Sequence, residues 1–196
     1  YYTKLKGHWY PIDTEWAIDG LSGKLFIVQA RPETIHSRKK DNSLSEYIID
    51  DTNGTTIRLT GIAVGDKIGQ GKIQKMYSLD GRDGSFDGSD FQQGDVLITE
   101  MTDPDWEPIM KMASAIITNK GGRTCHAAIV AREMGVPAIV GTENGTEVLF
   151  NGEEITVSCA EGDEGKVYDG IVPFKLKKTK LDNLPQPKTP IMLNVA

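Results

Sequence analysis

Cysteine is scarce: the 196-residue chain has two, Cys125 and Cys159. That is too few for a disulfide framework, and no spaced pair marks a zinc ribbon. Histidine is equally rare, with only His8, His36 and His126. They are scattered, so a histidine-built metal centre is not expected. Basic excess is missing too: 22 Lys and Arg against 28 Asp and Glu leave a net charge of -6. No long basic stripe is present, so nucleic acid is not an expected partner. No apolar run reaches the ~20 residues that span a bilayer, and no leader pattern is seen. No membrane partner is therefore expected, and the expected compartment is the cytoplasm. Two Asn-Gly-Thr triplets, at Asn53 and Asn144, match a glycosylation acceptor but carry little weight without a leader. What is present is ordinary globular material, 38% hydrophobic and 26% charged, enough for one sizeable core. The chain opens on Tyr1 and closes on the apolar run Ile191 to Ala196. We expect an excerpt of a longer protein.

Ile12 to Ala30 reads as a β-hairpin. Ile12 to Ile18 alternates apolar and polar residues, Asp19 to Gly23 is turn chemistry, and Lys24 to Ala30 is the returning strand, ended by Pro32. Alternation puts Gln29 and Arg31 on one face and Asp13 and Glu15 on one face of the partner strand. Glu15 should fall opposite the 27–29 stretch, so a carboxylate, an amide and a guanidinium converge. Their plain alternative is an ordinary polar strand face. His36 to Asn42 is polar and basic, and Ser43 to Asp51 is expected to be a short helix or more linker.

A second unit starts near Thr56. Gly61, Gly65, Gly69 and Gly71 punctuate short strand-like runs. Asp80 to Asp90 reads as a surface loop; it is acidic and Gly-rich but lacks the spacing of a calcium loop. Val96 to Thr99 is a strand. Thr102 to Pro108 has the cap, early proline and acidic first turn of a helix start, and that helix continues to Ala113. Ala115 to Thr118 is a buried strand broken by Gly121-Gly122. Thr124 to Glu133 is a helix closed by Gly135 and Pro137. Strands follow at Ala138 to Val140, Glu153 to Ser158 and Lys166 to Tyr168. Phe174 to Lys188, with four lysines between Lys175 and Lys180 and then prolines, reads as a second linker.

The chemistry concentrates at Gly121-Gly122-Arg123-Thr124-Cys125-His126. A strand that ends in two glycines and turns into a helix makes an anion site, because the first helical N–H groups lack partners and the helix dipole is positive there. Gly122 lets the backbone approach a phosphate, Arg123 can pair with its oxygens, and Thr124 offers a hydroxyl to ring or phosphate. A neutral imidazole is a competent nucleophile near neutral pH, so His126 is the candidate phosphoryl acceptor. The alternative is a capping or packing histidine. A Cys125–His126 catalytic pair is disfavoured because neighbours on a helix do not face each other. The run Gly65 to Lys72 fails as a phosphate-binding loop on glycine spacing and lacks a following Ser or Thr.

The segment from Gly121 to Arg132 resembles the phosphohistidine signature of the phosphoenolpyruvate-utilising enzymes. Thr102 to Pro108 and Thr124-Cys125-His126 are most similar to the branch that turns ATP, pyruvate and water into AMP, phosphoenolpyruvate and phosphate. Asp13 to Trp16 with Gln29 to Thr34 resembles the end of that branch's nucleotide-binding domain, and Ile191 to Ala196 the start of its pyruvate-binding barrel. The resemblance implies an α/β fold: a swivelling β/β/α phosphohistidine domain preceded by a β-hairpin from an ATP-grasp-like domain. The implied units are 1–36 (end of the ATP-binding domain), 37–55 (linker), 56–172 (phosphohistidine domain), 173–188 (linker) and 189–196 (start of the barrel). His126 would carry the phosphoryl group. Glu15 and Gln29 would be oxygen ligands for magnesium at the ATP phosphates, and Arg31 would contact those phosphates. Thr124 matches a residue that a regulatory kinase and phosphorylase modifies; phosphate there would repel an incoming phosphoryl group. The partners are ATP and pyruvate sites in flanking domains of the same chain, and any homodimer would form through the barrel. Two other readings stay open: the histidine domain of a related dikinase or phosphotransferase, and a non-enzymatic phosphocarrier module.

Overall fold

The computed structural model describes residues 2–7, 12–32, 43–49, 54–79 and 90–180. A short helix α1 (Tyr2–Lys6) precedes the hairpin of β1 (Ile12–Ile18) and β2 (Leu25–Pro32). The turn forms because the Asp19 carboxylate accepts the backbone N–H of Ser22 at 2.9 Å and of Leu21 at 3.4 Å, and also the Ser22 hydroxyl. These bonds hold the Asp19 carboxyl below its usual range, the Ser22 hydroxyl contributing most. A bulge between Glu15 and Trp16 shifts the register, which makes Glu15 and Gln29 Cα partners and likewise Asp13 and Arg31.

The segment after the hairpin differs from expectation. Ser43–Ile49 is neither helix nor irregular linker; it is strand β3. Its partner is the last described strand, β11 (Phe174–Lys180), so the lysine-rich run is also a strand. The two pair antiparallel from Phe174↔Ile49 to Lys180↔Ser43 as a separate two-stranded ribbon. The physical reason is alternation: Leu44, Glu46 and Ile48 are exposed while Ser43, Ser45, Tyr47 and Ile49 are half-buried. The Tyr47 and Phe174 rings sit 5.7 Å apart, and Lys177 pairs with Glu46 at 3.5 Å.

Between these strands lies a closed seven-stranded barrel. Its strands are β4 (Ile57–Val64), β5 (Ile68–Lys75), β6 (Val96–Thr99), β7 (Ala115–Thr118), β8 (Ala138–Val140), β9 (Glu154–Ser158) and β10 (Glu164–Asp169). β5, β6, β7 and β8 run parallel in that order, and β4, β10 and β9 close the circuit antiparallel. β6, β7 and β8 are buried throughout and apolar but for Thr99 and Thr118, because both their faces are covered. Period-two alternation splits them between two cores. Val96, Ile98, Ala115, Ile117 and Ile139 join Ile73, Ile155 and Val157 inside the barrel. Leu97, Ile116, Ala138 and Val140 face outward and pack with Trp106, Met110 and the alanines of the main helix. β5 needs its glycines: a Cβ at Gly69 would lie 2.2 Å from the Ser114 carbonyl oxygen, and one at Gly71 2.1 Å from that of Gly94.

Helices cover the outer core. A 3-10 turn (Pro104–Trp106) leads into α2 (Glu107–Met110), and Asp103 caps the turn by accepting the Asp105 N–H at 2.9 Å. The main helix α3 (His126–Met134) buries Ala127, Ala128, Val130 and Ala131, small residues that let it lie close to the sheet. Gly135 ends it at φ 66, the left-handed cap conformation that glycine adopts freely. A single turn, α4 (Gly145–Val148), was not expected from sequence. The architecture is mixed α/β, as the sequence indicated. The acidic loop at 80–89, His8, His36 and the run 189–196 lie outside the described residues.

Candidate active site

His126 is the first residue of α3, two residues later than the expected helix start. Cys125 is the N-cap, in extended conformation with no side-chain capping bond, and its N–H closes a turn onto the Gly122 carbonyl at 3.1 Å. Thr124 therefore sits in the turn before the helix, exposed. The hydroxyl that meets the ring belongs to Thr102: its Oγ1 lies 3.0 Å from His126 Nδ1. Thr102 is buried, just before the Asp103 cap. The sequence reading used it only as a helix-start marker. Nothing in local sequence links it to a histidine 24 positions away.

The glycine loop is held from behind by a polar cluster, centred on the buried Asn119 and Thr146, that sequence reasoning did not find. The Asn119 amide donates to Glu100 Oε1 and, at 2.6 Å, to Thr146 Oγ1, while its oxygen accepts the Thr146 N–H at 3.0 Å. Lys120 pairs with the other Glu100 oxygen at 3.3 Å. Burial pushes the Glu100 carboxyl up, but hydrogen bonds from Asn119, Lys120 and Thr146, with the Lys120 charge, leave it below its ordinary range. Main-chain bonds tie the same stretch down: Lys120 N–H to Glu100 O at 2.9 Å and Glu143 N–H to Asn119 O at 3.0 Å. Gly121 has φ +118, and a Cβ there would lie 2.7 Å from Cys125 Sγ. Gly122 follows, with open space where its Cβ would be.

Arg123 is half exposed and its guanidinium pairs with Asp163 at 3.1 Å. Its carbonyl accepts from Arg132 on α3 at 2.6 Å, which fixes the backbone beside the helix start. Burial pushes the Cys159 thiol up to about 11, which keeps it protonated and inert. Glu15, Gln29 and Arg31 lie on the hairpin, with Glu15 directly across from Gln29 and Arg31 two positions further along β2. Among the described residues, no three His, Cys, Asp or Glu side chains form a metal-binding group, and no helix is long and apolar enough to cross a membrane.

Comparison with known proteins agrees with this geometry. Residues 91–162, which hold the glycine loop, Thr102, His126 and the α3 helix, match the model of the PEP-utilising enzyme mobile domain. Residues 2–50, which hold the hairpin, match the AMP/ATP-binding domain of pyruvate phosphate dikinase. The chain is 52% identical over 198 residues to a phosphoenolpyruvate synthase of Aquifex aeolicus, covering 100% of this chain and 22% of that protein. It is 51% identical over 195 residues to one of Synechocystis, covering 100% of this chain and 23% of that protein. With that of Escherichia coli the identity is 49% over 185 residues, or 94% of this chain and 22% of the other. The chain thus spans roughly a fifth of the length of these relatives. A mobile-domain match centred on the histidine loop, a nucleotide-domain match on the hairpin and half-identity along the whole chain place this protein in the phosphoenolpyruvate-utilising enzyme family.

Proposed function

We propose that this chain is the phosphoryl-carrier part of a phosphoenolpyruvate synthase, with His126 moving a phosphoryl group from ATP to pyruvate. The observation that carries the reading is the Thr102–His126 contact at the first turn of α3. With Nδ1 engaged by a hydroxyl, Nε2 is the nitrogen left to react. The productive tautomer has its proton on Nδ1, donated to Thr102 Oγ1, and a lone pair on Nε2. Nε2 attacks the β-phosphorus of ATP. The N–P bond forms as the P–O bond to the AMP side breaks, with its electrons leaving on that oxygen. The ring becomes cationic, and the Nδ1–H···Oγ1 bond strengthens as it does. The γ-phosphate is then lost to water. In the second half-reaction the pyruvate enolate oxygen takes the phosphoryl group, and the N–P electrons return to Nε2. The free N–H groups of the α3 first turn and Gly122, with the Arg123 guanidinium and the Thr124 hydroxyl, would hold the phosphoryl oxygens.

Glu15 and Gln29 would hold magnesium, which neutralises phosphate charge when bound, and Arg31 would contact the ATP phosphates. Their support is the register that sets carboxylate opposite amide on adjoining strands. The proposed division is an ATP-domain hairpin at 1–36, a phosphohistidine domain at 56–172 that swivels between sites, and a pyruvate barrel from 189. Within the proposed connections at 37–55 and 173–188, β3 and β11 pair as a ribbon, so that the domain would hang from one two-stranded stalk. A regulator acting at Thr124 would block transfer by placing a phosphate two residues from His126. The cytoplasm, where ATP and pyruvate meet, is the proposed compartment.

The test uses the full-length parent enzyme, magnesium and ATP labelled at the β-phosphate. Acid-labile label in the His126 peptide, discharged by pyruvate and lost in His126→Ala and Glu15→Ala, supports the reading. No label in wild type with pyruvate omitted rejects it, and a Thr124→Val enzyme still switched off by the regulator rejects the Thr124 role.

A further inference from the structure

Arg123 has a carboxylate partner in Asp163. Its Nη2 lies 3.1 Å from Asp163 Oδ1, and the two side chains are 52% and 92% exposed. Barrel topology brings them together. Asp163 is in the turn leading into β10, where Glu164 pairs with Ile62 on β4, and Ile62 pairs with Val140 on β8. β8 ends at Val140, and the next residue, Gly141, is so close to the glycine loop that a Cβ there would lie 2.8 Å from the Gly121 oxygen. The turn bearing Asp163 thus stands beside the loop bearing Arg123. The Arg123 main chain is held by Arg132 at 2.6 Å, which leaves its side chain as the part able to move.

We infer that Asp163 is a positioning residue: it parks the Arg123 guanidinium beside the glycine loop and yields it to the phosphoryl group once that group is on His126. The inference rests on the carrier reading above. An exposed arginine–carboxylate pair is weak. A phosphoryl group carries more charge and can accept two parallel N–H bonds where Asp163 makes a single contact, so it wins the exchange. No proton moves: the guanidinium stays protonated, the Nε2–P bond forms as the donor P–O bond breaks, and Asp163 is left ionised in water. Parking keeps the long arginine side chain near its target rather than free in solvent.

The experiment measures the share of phosphohistidine in the full-length enzyme at fixed ATP, AMP and phosphate, with magnesium and β-labelled ATP. Asp163→Asn should raise the ratio of phosphorylated to free His126 roughly two- to fivefold at low salt, since nothing then competes for Arg123. The gain should shrink at ~0.5 M salt, where exposed charges are screened. Asp163→Glu should restore the wild-type ratio, and in an Arg123→Gln background Asp163→Asn should change nothing. A merely structural Asp163 would shift the melting temperature and leave this pattern absent. The inference is overturned if Asp163→Asn leaves the ratio at the wild-type value, or alters it equally with and without Arg123. A wild type that takes no label at all refutes the carrier reading, and this inference with it.

Discussion

Replacing Thr102 by valine tests the geometry of the reacting nitrogen. Valine keeps the branched shape and removes the oxygen that sits 3.0 Å from His126 Nδ1. In the resting state the loss is one neutral hydrogen bond at a part-buried site, about 1 kcal/mol. During attack the ring gains positive charge, and a hydrogen bond to a charged group is worth roughly 1.5–3 kcal/mol. The excess, about 0.5–2 kcal/mol, appears as a barrier, so labelling of His126 should slow by about 2- to 30-fold, at ~1.4 kcal/mol per factor of ten. The assay is rapid-quench labelling of the parent enzyme with β-labelled ATP, read as acid-labile counts in the His126 peptide. Thr102→Ser, which keeps the oxygen, should stay near the wild-type rate. A folded Thr102→Val enzyme that labels at the wild-type rate would show that Nδ1 needs no partner. The proposed division of labour between the two ring nitrogens would then be wrong.

Other expectations follow from the same framework. Gly121→Ala forces a side chain into φ +118 and against Cys125 Sγ at 2.7 Å; it should cost about 1–3 kcal/mol in chemical denaturation and depress labelling of His126. An unchanged midpoint would mean the loop adapts freely. Because the folded state lowers the Glu100 carboxyl below its ordinary value of 4.5, its stabilising contribution is complete above that pH and is lost as pH falls through the lowered value. Glu100→Gln should therefore flatten the acid limb of the stability curve, and an identical limb in the variant would contradict the cluster's role. Glu46 and Lys177 are Cα partners on the ribbon; Glu46→Cys with Lys177→Cys, oxidised to a disulfide, should leave turnover of the parent near its reduced value if the two strands move as one stalk. Turnover that collapses on oxidation and returns on reduction would mean the strands must part.

Much of the site's scaffold was legible because its signals are local. Asp19 and its neighbours announce the hairpin turn, and the Gly121-Gly122 break, the His126 run and the Gly135 cap mark α3 within two residues. The hidden parts depend on distant pairing. Ser43–Ile49 looks like linker until Phe174–Lys180 arrives from the far end of the chain, and four lysines disguise that partner as solvated coil. Barrel closure rests on β10 meeting β4 and β9 meeting β5, with no periodicity to announce either. Thr102, Asn119, Thr146 and Asp163 escape for the same reason: each is an unremarkable polar residue whose meaning comes from what the barrel sets beside it. His126 stands out in the sequence because its chemistry and its helix start are adjacent.

The measurement that bears most directly on the central claim is the position of the phosphoryl group on the ring. The parent enzyme, labelled with nitrogen-15 in its histidines and phosphorylated with magnesium and ATP in the absence of pyruvate, can be read by long-range proton–nitrogen correlation of the imidazole. The account predicts one phosphorylated histidine, His126, with phosphorus on Nε2 and the proton on Nδ1. Phosphorus on Nδ1, on another residue, or on no histidine would contradict it.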